Sequence, residues 1–287
     1  MDTYDISVVL GSKNRKNLLK ATIDSIRENG FDGKMEIIVV DGGSTDGTCD
    51  WLAGQRDILT IVQPNYSIRD EEGISVLRHS WGEFMNLGFR QARAPWVVMV
   101  SDDLILTAGV LRKGLDTLNM MKSSGRKIGG GAFFFREYPR HDYYRVHMLP
   151  GNVVNINHGF YNREALVDVD FTDGKNYNFY CADGDLALRM HQRGWEIITL
   201  DDCFAEHLTH IPRLRKMGHS PATLRDIGVF AGKYPQSCDA DTVIKHAVIA
   251  SNRRRFWRAA FMNCFLGVML RVADRYSKRR SRTAGVK

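Results

Sequence analysis

Several protein classes are excluded by what this chain lacks. Its five cysteines (Cys49, Cys181, Cys203, Cys238 and Cys264) form no Cys-x-x-Cys pair and no regular framework. That argues against a disulfide scaffold and fits a reducing compartment. No run of about 20 uninterrupted apolar residues occurs, so no ordinary transmembrane helix is expected. Met1 to Asp5 carry neither a basic region nor an apolar run of signal-peptide length, so no secretion is expected. There is no Walker lysine motif and no Gly-x-Gly-x-x-Gly, which removes the P-loop and dinucleotide readings. Internal repeats and low-complexity segments are absent too.

Acidic residues are scarce at one end. Ser251 to Lys287 hold nine Arg and two Lys against the single Asp274, a net of +10. The first 250 residues hold 29 basic and 32 acidic residues, a net of −3. A slightly acidic body with a strongly basic tail points to an anionic partner for the tail. Between Arg253-Arg254-Arg255 and Lys278-Arg279-Arg280 lie Trp257, Phe256, Phe261 and Phe265 among aliphatics. That pattern fits an amphipathic helix on an anionic membrane surface over residues 251–282, each basic residue contributing about 1 kcal/mol. A core-packing or dimer helix with a basic end competes equally. No nucleic-acid motif appears, and no nucleic-acid partner is expected. The expected location is the cytoplasm, peripheral on the inner face of the cell membrane.

What is present is a rhythm of strands and helices. Ile6 to Leu10, Met35 to Val40, Leu59 to Val62 and Trp96 to Val100 are apolar runs of strand length. Helical spacing follows the first (Leu18, Leu19, Ile23, Ile26), a helix is expected from near Thr45, and another spans 81–93. Such alternation predicts a doubly wound, mainly parallel sheet through about residue 122. Beyond it, strands are expected at 132–135, 152–157 and 195–200, with a helix over 183–193. Residues 63–80 and 136–147 are read as loops, the second rich in Tyr, Arg and His.

The strand from Trp96 runs into Ser101-Asp102-Asp103. In open α/β sheets ligands collect at the carboxyl ends of strands. Two adjacent carboxylates repel unless a cation lies between them, and an oxygen-liganded divalent metal carrying a diphosphate resolves this. The plainer alternative makes Asp103 the cap of a following helix. Asp41, at the end of the second strand, can accept hydrogen bonds from a ribose or base, or can serve a plain Asp-Gly-Gly turn. Asp183 stands where a helix N-cap is expected, and Asp185 pairs with Arg189 at i,i+4 spacing.

Ile6 to Arg15, Glu36 to Thr48, the helix with Asn86-Leu87-Gly88, Val97 to Asp103, Gly159 to Leu166 and Ala182 to Arg189 follow one another in an order that resembles family 2 glycosyltransferases of GT-A fold. The resemblance covers roughly residues 5 to 210. It departs from the family at Gly11-Ser12, where Pro-Thr is usual. It departs again at Ser101-Asp102-Asp103, a variant of the DXD-type motif, and at Ala182, where a Glu is usual.

The resemblance implies a GT-A-type, Rossmann-like α/β fold with a mainly parallel sheet flanked by helices, to which the composition beyond it adds a C-terminal amphipathic helical tail. The expected domains are a transferase domain over 1–235, with a nucleotide half at about 1–122 and an acceptor half at 123–235, and, from composition, a basic helical tail over 236–287. The resemblance also assigns roles. Asp183 would be the general base. Ser12, Asn14, Asp41, Arg78 and Asp102 would bind the nucleotide. Asp103 and His207 would hold Mn²⁺ or Mg²⁺, with His210 and His219 as alternatives to His207. The implied activity is an inverting, metal-dependent transfer from a nucleoside-diphosphate sugar to a hydroxyl of a saccharide or lipid-linked saccharide, in cell-surface polysaccharide or glycolipid synthesis. Two other readings compete: a non-catalytic nucleotide- or glycan-binding relative, and a sugar nucleotidyltransferase, whose glycine-rich, Arg/Lys-bearing first loop is missing here. No oligomeric state is specified.

Overall fold

A computed structural model describes residues 3–208, 220–235 and 242–246, with Arg258, Phe261 and Met262. The first half alternates as expected: β1 (Ile6–Ser12), α1 (Lys16–Arg27), β2 (Met35–Asp41), α2 (Thr48–Ala53) and β3 (Ile58–Val62). A two-stranded hairpin, β4 (Ser67–Arg69) and β5 (Ser75–Leu77), precedes α3 (Trp81–Gln91), β6 (Trp96–Met99), β7 (Leu104–Leu106) and α4 (Val110–Ser123). The second half opens with β8 (Ile128–Tyr138), β9 (Tyr144–Leu149), β10 (Val153–Val154) and β11 (Gly159–Asn162). It continues through α5 (Arg163–Asp168), α6 (Ala182–Gln192), β12 (Glu196–Leu208), α7 (Pro221–Lys233) and β13 (Thr242–Lys245).

The main sheet runs β10-β9-β8-β11-β6-β1-β2-β3. β3, β2, β1 and β6 are mutually parallel, and β11 lies antiparallel between β6 and β8. β12 runs parallel to β8 and pairs antiparallel with β7. Period-2 alternation explains why the central strands are apolar throughout. Val9, Ile38, Val40, Val97 and Met99 face one core with α3 and α6, whereas Val8, Leu10, Ile37, Val39 and Val98 face the other with α1 and α4. A parallel sheet covered on both faces needs such continuous runs. Each fully buried Val, Leu or Ile contributes about 1.5–3 kcal/mol.

Asn86 and Gly88 show what an Asn-x-Gly helix does here. Asn86 donates to the Thr172 carbonyl at 2.8 Å and accepts from the Thr172 N–H at 3.0 Å. A Cβ on Gly88 would stand 2.5 Å from Val9 Cγ1, so only glycine lets α3 lie this close to the sheet. At its start α3 carries a full capping box, Ser80 with Glu83, an arrangement that stabilises a helix by about 1 kcal/mol.

Several boundaries differ from the sequence expectation. α2 starts at Thr48: Gly47 takes a left-handed φ of 84° at its cap, and Asp46 bridges two helix starts, accepting the Thr48 N–H at 3.1 Å and the Lys16 N–H at 3.0 Å. The expected strand at 152–157 is reduced to Val153–Val154. The expected loop over 136–147 is the end of β8, a turn and the start of β9. Arg136 is buried there. It pairs with Glu206 at 2.9 and 2.5 Å, and Tyr144 donates to the same carboxylate at 2.6 Å. A guanidinium satisfied in this way is not offered to an acceptor phosphate. Asp103 does not cap a helix, because β7 follows it and α4 begins only after Gly109. Among the described residues no helix is long and apolar enough to cross a membrane. The basic stretch 251–282 lies outside the described residues except for Arg258, Phe261 and Met262, all exposed. His210 and His219, the alternatives to His207, both lie outside the described residues.

Candidate active site

β6 delivers its acids to a dry position. Asp102 and Asp103 are each only 4% exposed, and every carboxylate oxygen accepts a hydrogen bond. Asp102 Oδ2 takes Ser12 Oγ at 2.7 Å, and Asp102 Oδ1 takes Arg15 Nη1 at 2.9 Å. The same Arg15 nitrogen donates to Asp103 Oδ2 at 3.1 Å, and Ser101 Oγ donates to Asp103 Oδ1 at 2.6 Å. Burial raises the Asp102 pKa above the ordinary carboxylate value, against the pull of Arg15 and with a further push from Asp103.

The pairing of β12 with β7, His207 opposite Leu104, brings His207 to this pair. Its Nε2 lies 3.2 Å from Asp103 Oδ1 and its Nδ1 3.3 Å from Glu137 Oε1. Burial alone would lower its pKa, but hydrogen bonds to the two carboxylates prevail and push it up to about 10. Both carboxylates thus favour the protonated ring. Its neighbour His158, with ring centroids 5.6 Å apart, is driven the other way, to about 3, by burial first and then by the His207 charge.

A cavity of about 480 Å³ opens at the ends of β1 and β6, bounded by Ser12, Arg15 and Asp102 on one side and Trp81, Phe84 and Met85 on another. This lies within the size range of small-molecule sites. Gly11 is needed in its wall, since a Cβ there would stand 2.9 Å from the Phe84 ring. Tyr66 and Phe179, both exposed, and Asn157 and His158, between β10 and β11, complete the lining.

Asp183 sits in the first turn of α6, half-buried. It is not the cap. That position belongs to Cys181, which has a left-handed backbone and no side-chain cap bond. Asp183 Oδ2 accepts from Asn157 Nδ2 at 2.8 Å and from Asn155 Nδ2 at 3.3 Å. Both amide oxygens and His158 Nδ1 are buried without a hydrogen-bond partner among the described residues. Burial raises the Asp183 pKa, opposed by the Gly184 N–H and the two amides.

Ser12 and Asp102 thus share one wall, Asp103 and His207 lie directly behind, and Asp183 is reached through Asn157. The other expected residues fall outside the cavity lining. Asp41 is fully buried and binds its own loop, accepting from the Gly43 and Ser44 N–H groups at 2.9 and 2.7 Å and from Ser44 Oγ at 2.7 Å. Asn14 has a left-handed φ of 54° and accepts the Thr45 N–H at 2.7 Å, bracketing the first two loops. Arg78 lies over Tyr66 and donates to its hydroxyl at 2.6 Å.

Sequence reasoning missed Arg15, Asn155, Asn157, His158 and Asp226. For Arg15 a signal existed: a cation three residues beyond a strand end that faces an acidic strand end. Asp226, on α7, is 1% exposed and accepts the N–H groups of Asn178, Phe179 and Tyr180 at 2.8, 2.8 and 2.9 Å. It fixes the loop that carries Phe179 to the cavity and leads into α6.

The acid pair can be tested against a divalent ion by its donors. Among the described residues no three His, Cys, Asp or Glu side chains converge as a ready coordination sphere. A small hard cation nevertheless binds through one or two carboxylates plus substrate phosphates, and the two acids with His207 suit that description. Arg15 already stands between the acids as a positive charge. The donor set fits.

The model of the family described as glycosyl transferase family 2 matches residues 7–170, more than half of the chain. No curated protein sequence matches. Solved structures similar to this chain include Staphylococcus aureus TarS 1-349, with 15% identity, a TM-score of 0.51, and coverage of 71% of this chain and 60% of that one. The same protein in complex with UDP-GlcNAc has 15% identity and a TM-score of 0.57, covering 88% and 69%. Mannosyltransferase PcManGT from Pyrobaculum calidifontis, in complex with GDP-Man and Mn²⁺, has 16% identity and a TM-score of 0.55, covering 93% and 70%. This chain spans about 60% of the length of the first of these. At such identities the likeness is one of fold, and it agrees with the expected GT-A arrangement.

Proposed function

The chain belongs to glycosyl transferase family 2, and from that membership we propose that it is an inverting glycosyltransferase moving a sugar from a nucleoside-diphosphate sugar to an acceptor hydroxyl. One observation carries this reading. A single cavity has Asp102 at one wall, joined by the Arg15 cation to Asp103 behind it, and is lined elsewhere by Asn157, the residue that holds Asp183. The bound ligands of the structural neighbours, UDP-GlcNAc and GDP-Man, support a donor of that class.

In this proposal Asp183, when ionised, accepts the proton of the acceptor hydroxyl. That oxygen bonds to the anomeric carbon as the bond to the diphosphate breaks, and one displacement inverts the centre. Asn155 and Asn157 hold the carboxylate for that transfer. Ser12, Asn14, Asp41 and Asp102 belong to the nucleotide end, with Arg78 at the rim beside Tyr66. Asp103 and His207 would hold Mn²⁺ or Mg²⁺, which when bound neutralises charge growing on the leaving diphosphate. His207 must lose its proton to serve as a ligand. The acceptor is a saccharide or lipid-linked saccharide, and the aromatic wall of Trp81, Tyr66 and Phe179 offers faces on which a sugar ring can rest.

Thermal unfolding with UDP, GDP, dTDP or CMP, each with and without Mn²⁺, tests the donor site. One nucleotide raises the melting temperature, more with the metal present, by mass action. The metal-dependent part of the rise disappears in Asp103→Ala. If no nucleotide stabilises the protein at millimolar concentration, the transferase reading fails and a glycan-binding relative takes its place.

A further inference from the structure

The chemistry just described gives Arg15 no task, yet it is the best-placed cation of the site. It stands at the junction of β1 and α1, at the cap of the helix with a non-helical backbone φ of −135°. Its single nitrogen Nη1 serves both acids, at 2.9 and 3.1 Å. The carboxylate side chains are 5% exposed and the Arg15 side chain 35% exposed.

Two other arginines paired with a buried carboxylate of this chain use their donors differently. Arg136 meets Glu206 with two nitrogens in a bidentate fork and is 7% exposed. Arg93 meets Glu36 in the same manner, through Nε at 2.9 Å and Nη2 at 2.7 Å. Arg15 spends one nitrogen on two acids, and its Nε and Nη2 donate to no described residue. Arg15 also lines the cavity. It therefore combines a fixed positive charge, unspent planar donors and access to the ligand space. Guanidinium groups recognise phosphate oxygens through such donors.

We propose that Arg15 is a diphosphate ligand which, without nucleotide, occupies the cation position of Asp102 and Asp103, so that divalent metal and nucleoside diphosphate enter together. A guanidinium and a divalent ion cannot both occupy Asp102 Oδ1 and Asp103 Oδ2, the two oxygens that Arg15 holds. A metal arriving alone must displace a guanidinium that has nowhere better to go. A diphosphate supplies that place: it draws Arg15 off the acids, and the vacated oxygens then accept the metal. The proposal rests on the nucleotide-sugar reading, and it separates from that reading because metal affinity can be measured with no nucleotide present.

The experiment is Mn²⁺ titration of the full chain, followed by the electron paramagnetic resonance of free ion, for wild type, Arg15→Met and Arg15→Lys. Without nucleotide, Arg15→Met binds Mn²⁺ about tenfold more tightly than wild type, the change expected when one like charge beside a partly buried ion is removed. Arg15→Lys, which keeps the charge, stays near wild type, and Arg15→Gln, which removes the charge but keeps a polar side chain, carries the comparison if the methionine variant folds poorly. Addition of UDP or GDP, whichever raises the melting temperature, tightens Mn²⁺ binding to wild type and narrows the gap. Arg15→Met in turn binds that nucleotide more weakly than wild type. Equal Mn²⁺ affinities without nucleotide, no Mn²⁺ uptake by Arg15→Met, or unchanged nucleotide affinity in Arg15→Met would each overturn the proposal. If no nucleotide binds wild type, the donor reading falls and the diphosphate half of this proposal falls with it; the metal comparison still decides whether Arg15 competes for the acids.

Discussion

Asp183 and Asp185 stand two residues apart in the first turn of one helix, and their surroundings could hardly differ more. Asp185 is fully buried, between Arg189 Nε and Lys233 Nζ, each at 2.6 Å, and it accepts the Tyr234 and Tyr177 hydroxyls at 2.9 and 3.2 Å. Asp183 is half-buried and its side-chain partners are two neutral amides. Both share the positive end of the same helix dipole, so the helix is not the cause of the difference. The partners are. Two cations lock one carboxylate into the fold, while two amides hold the other in place yet leave its charge uncompensated. A carboxylate needed as a base has to be of the second kind.

The largest effect expected from this contrast is on turnover. Asp183→Asn keeps the shape and removes the base, and kcat falls by about 10²–10⁴-fold. Burial makes Asp183 hold its proton more tightly in the folded chain than in the unfolded one. Its ionisation therefore opposes folding once the pH exceeds the unfolded pKa, and Asp183→Asn unfolds no earlier than wild type at pH 7. A fall in melting temperature without loss of turnover would make Asp183 a structural acid like its neighbour. Asp185→Ala gives the opposite result. It leaves Arg189 beside a void and costs about 3 kcal/mol in urea unfolding, the low end for a broken buried pair because Lys233 reaches solvent. Undiminished stability would erase the distinction from the other side.

The smallest effect sharpens the comparison. Asn157→Ala removes an amide that favours the charged form of Asp183. The wild-type kcat/KM rises with pH through a carboxylate pKa above the ordinary 3.8. In the variant that acid limb moves higher, by less than about one pH unit, since one neutral hydrogen bond contributes about 1 kcal/mol. A limb that stays in place, with only KM altered, would show that Asn157 touches substrate and does not tune the base.

Much of this was legible in the sequence, for a definite reason. The central strands are apolar on both faces because both faces are covered, and such runs are visible locally. The pairing of Asp185 with Arg189 was visible because four residues make one helical turn. Asp183 was harder. Its amides lie 26 and 28 residues upstream, and nothing in the spacing announces them. Arg136 is the clearest failure of local reading. Amid Tyr, Arg and His it looks like loop chemistry, yet its partner Glu206 lies 70 residues away and converts it into core. Arg15 belongs to the same class, meeting acids 87 and 88 residues further on. Patterns report what a segment buries, while charge compensation is settled by segments that meet only in the folded chain.

Asp226 carries a consequence for the order in which the protein is built. The loop from Asn178 to Tyr180 receives its anchor from a side chain 46 to 48 residues later. During synthesis the parallel strands have their neighbours once β6 has emerged, and that half can condense early, as the first-made parts of long chains do. The cavity wall at Phe179 has to wait for α7. A ribosome paused between the two would carry a half-finished nucleotide fold with an unclosed pocket. A chain cut at residue 170, where the family match ends, would keep the acid pair without Asp183 and without the wall at Phe179.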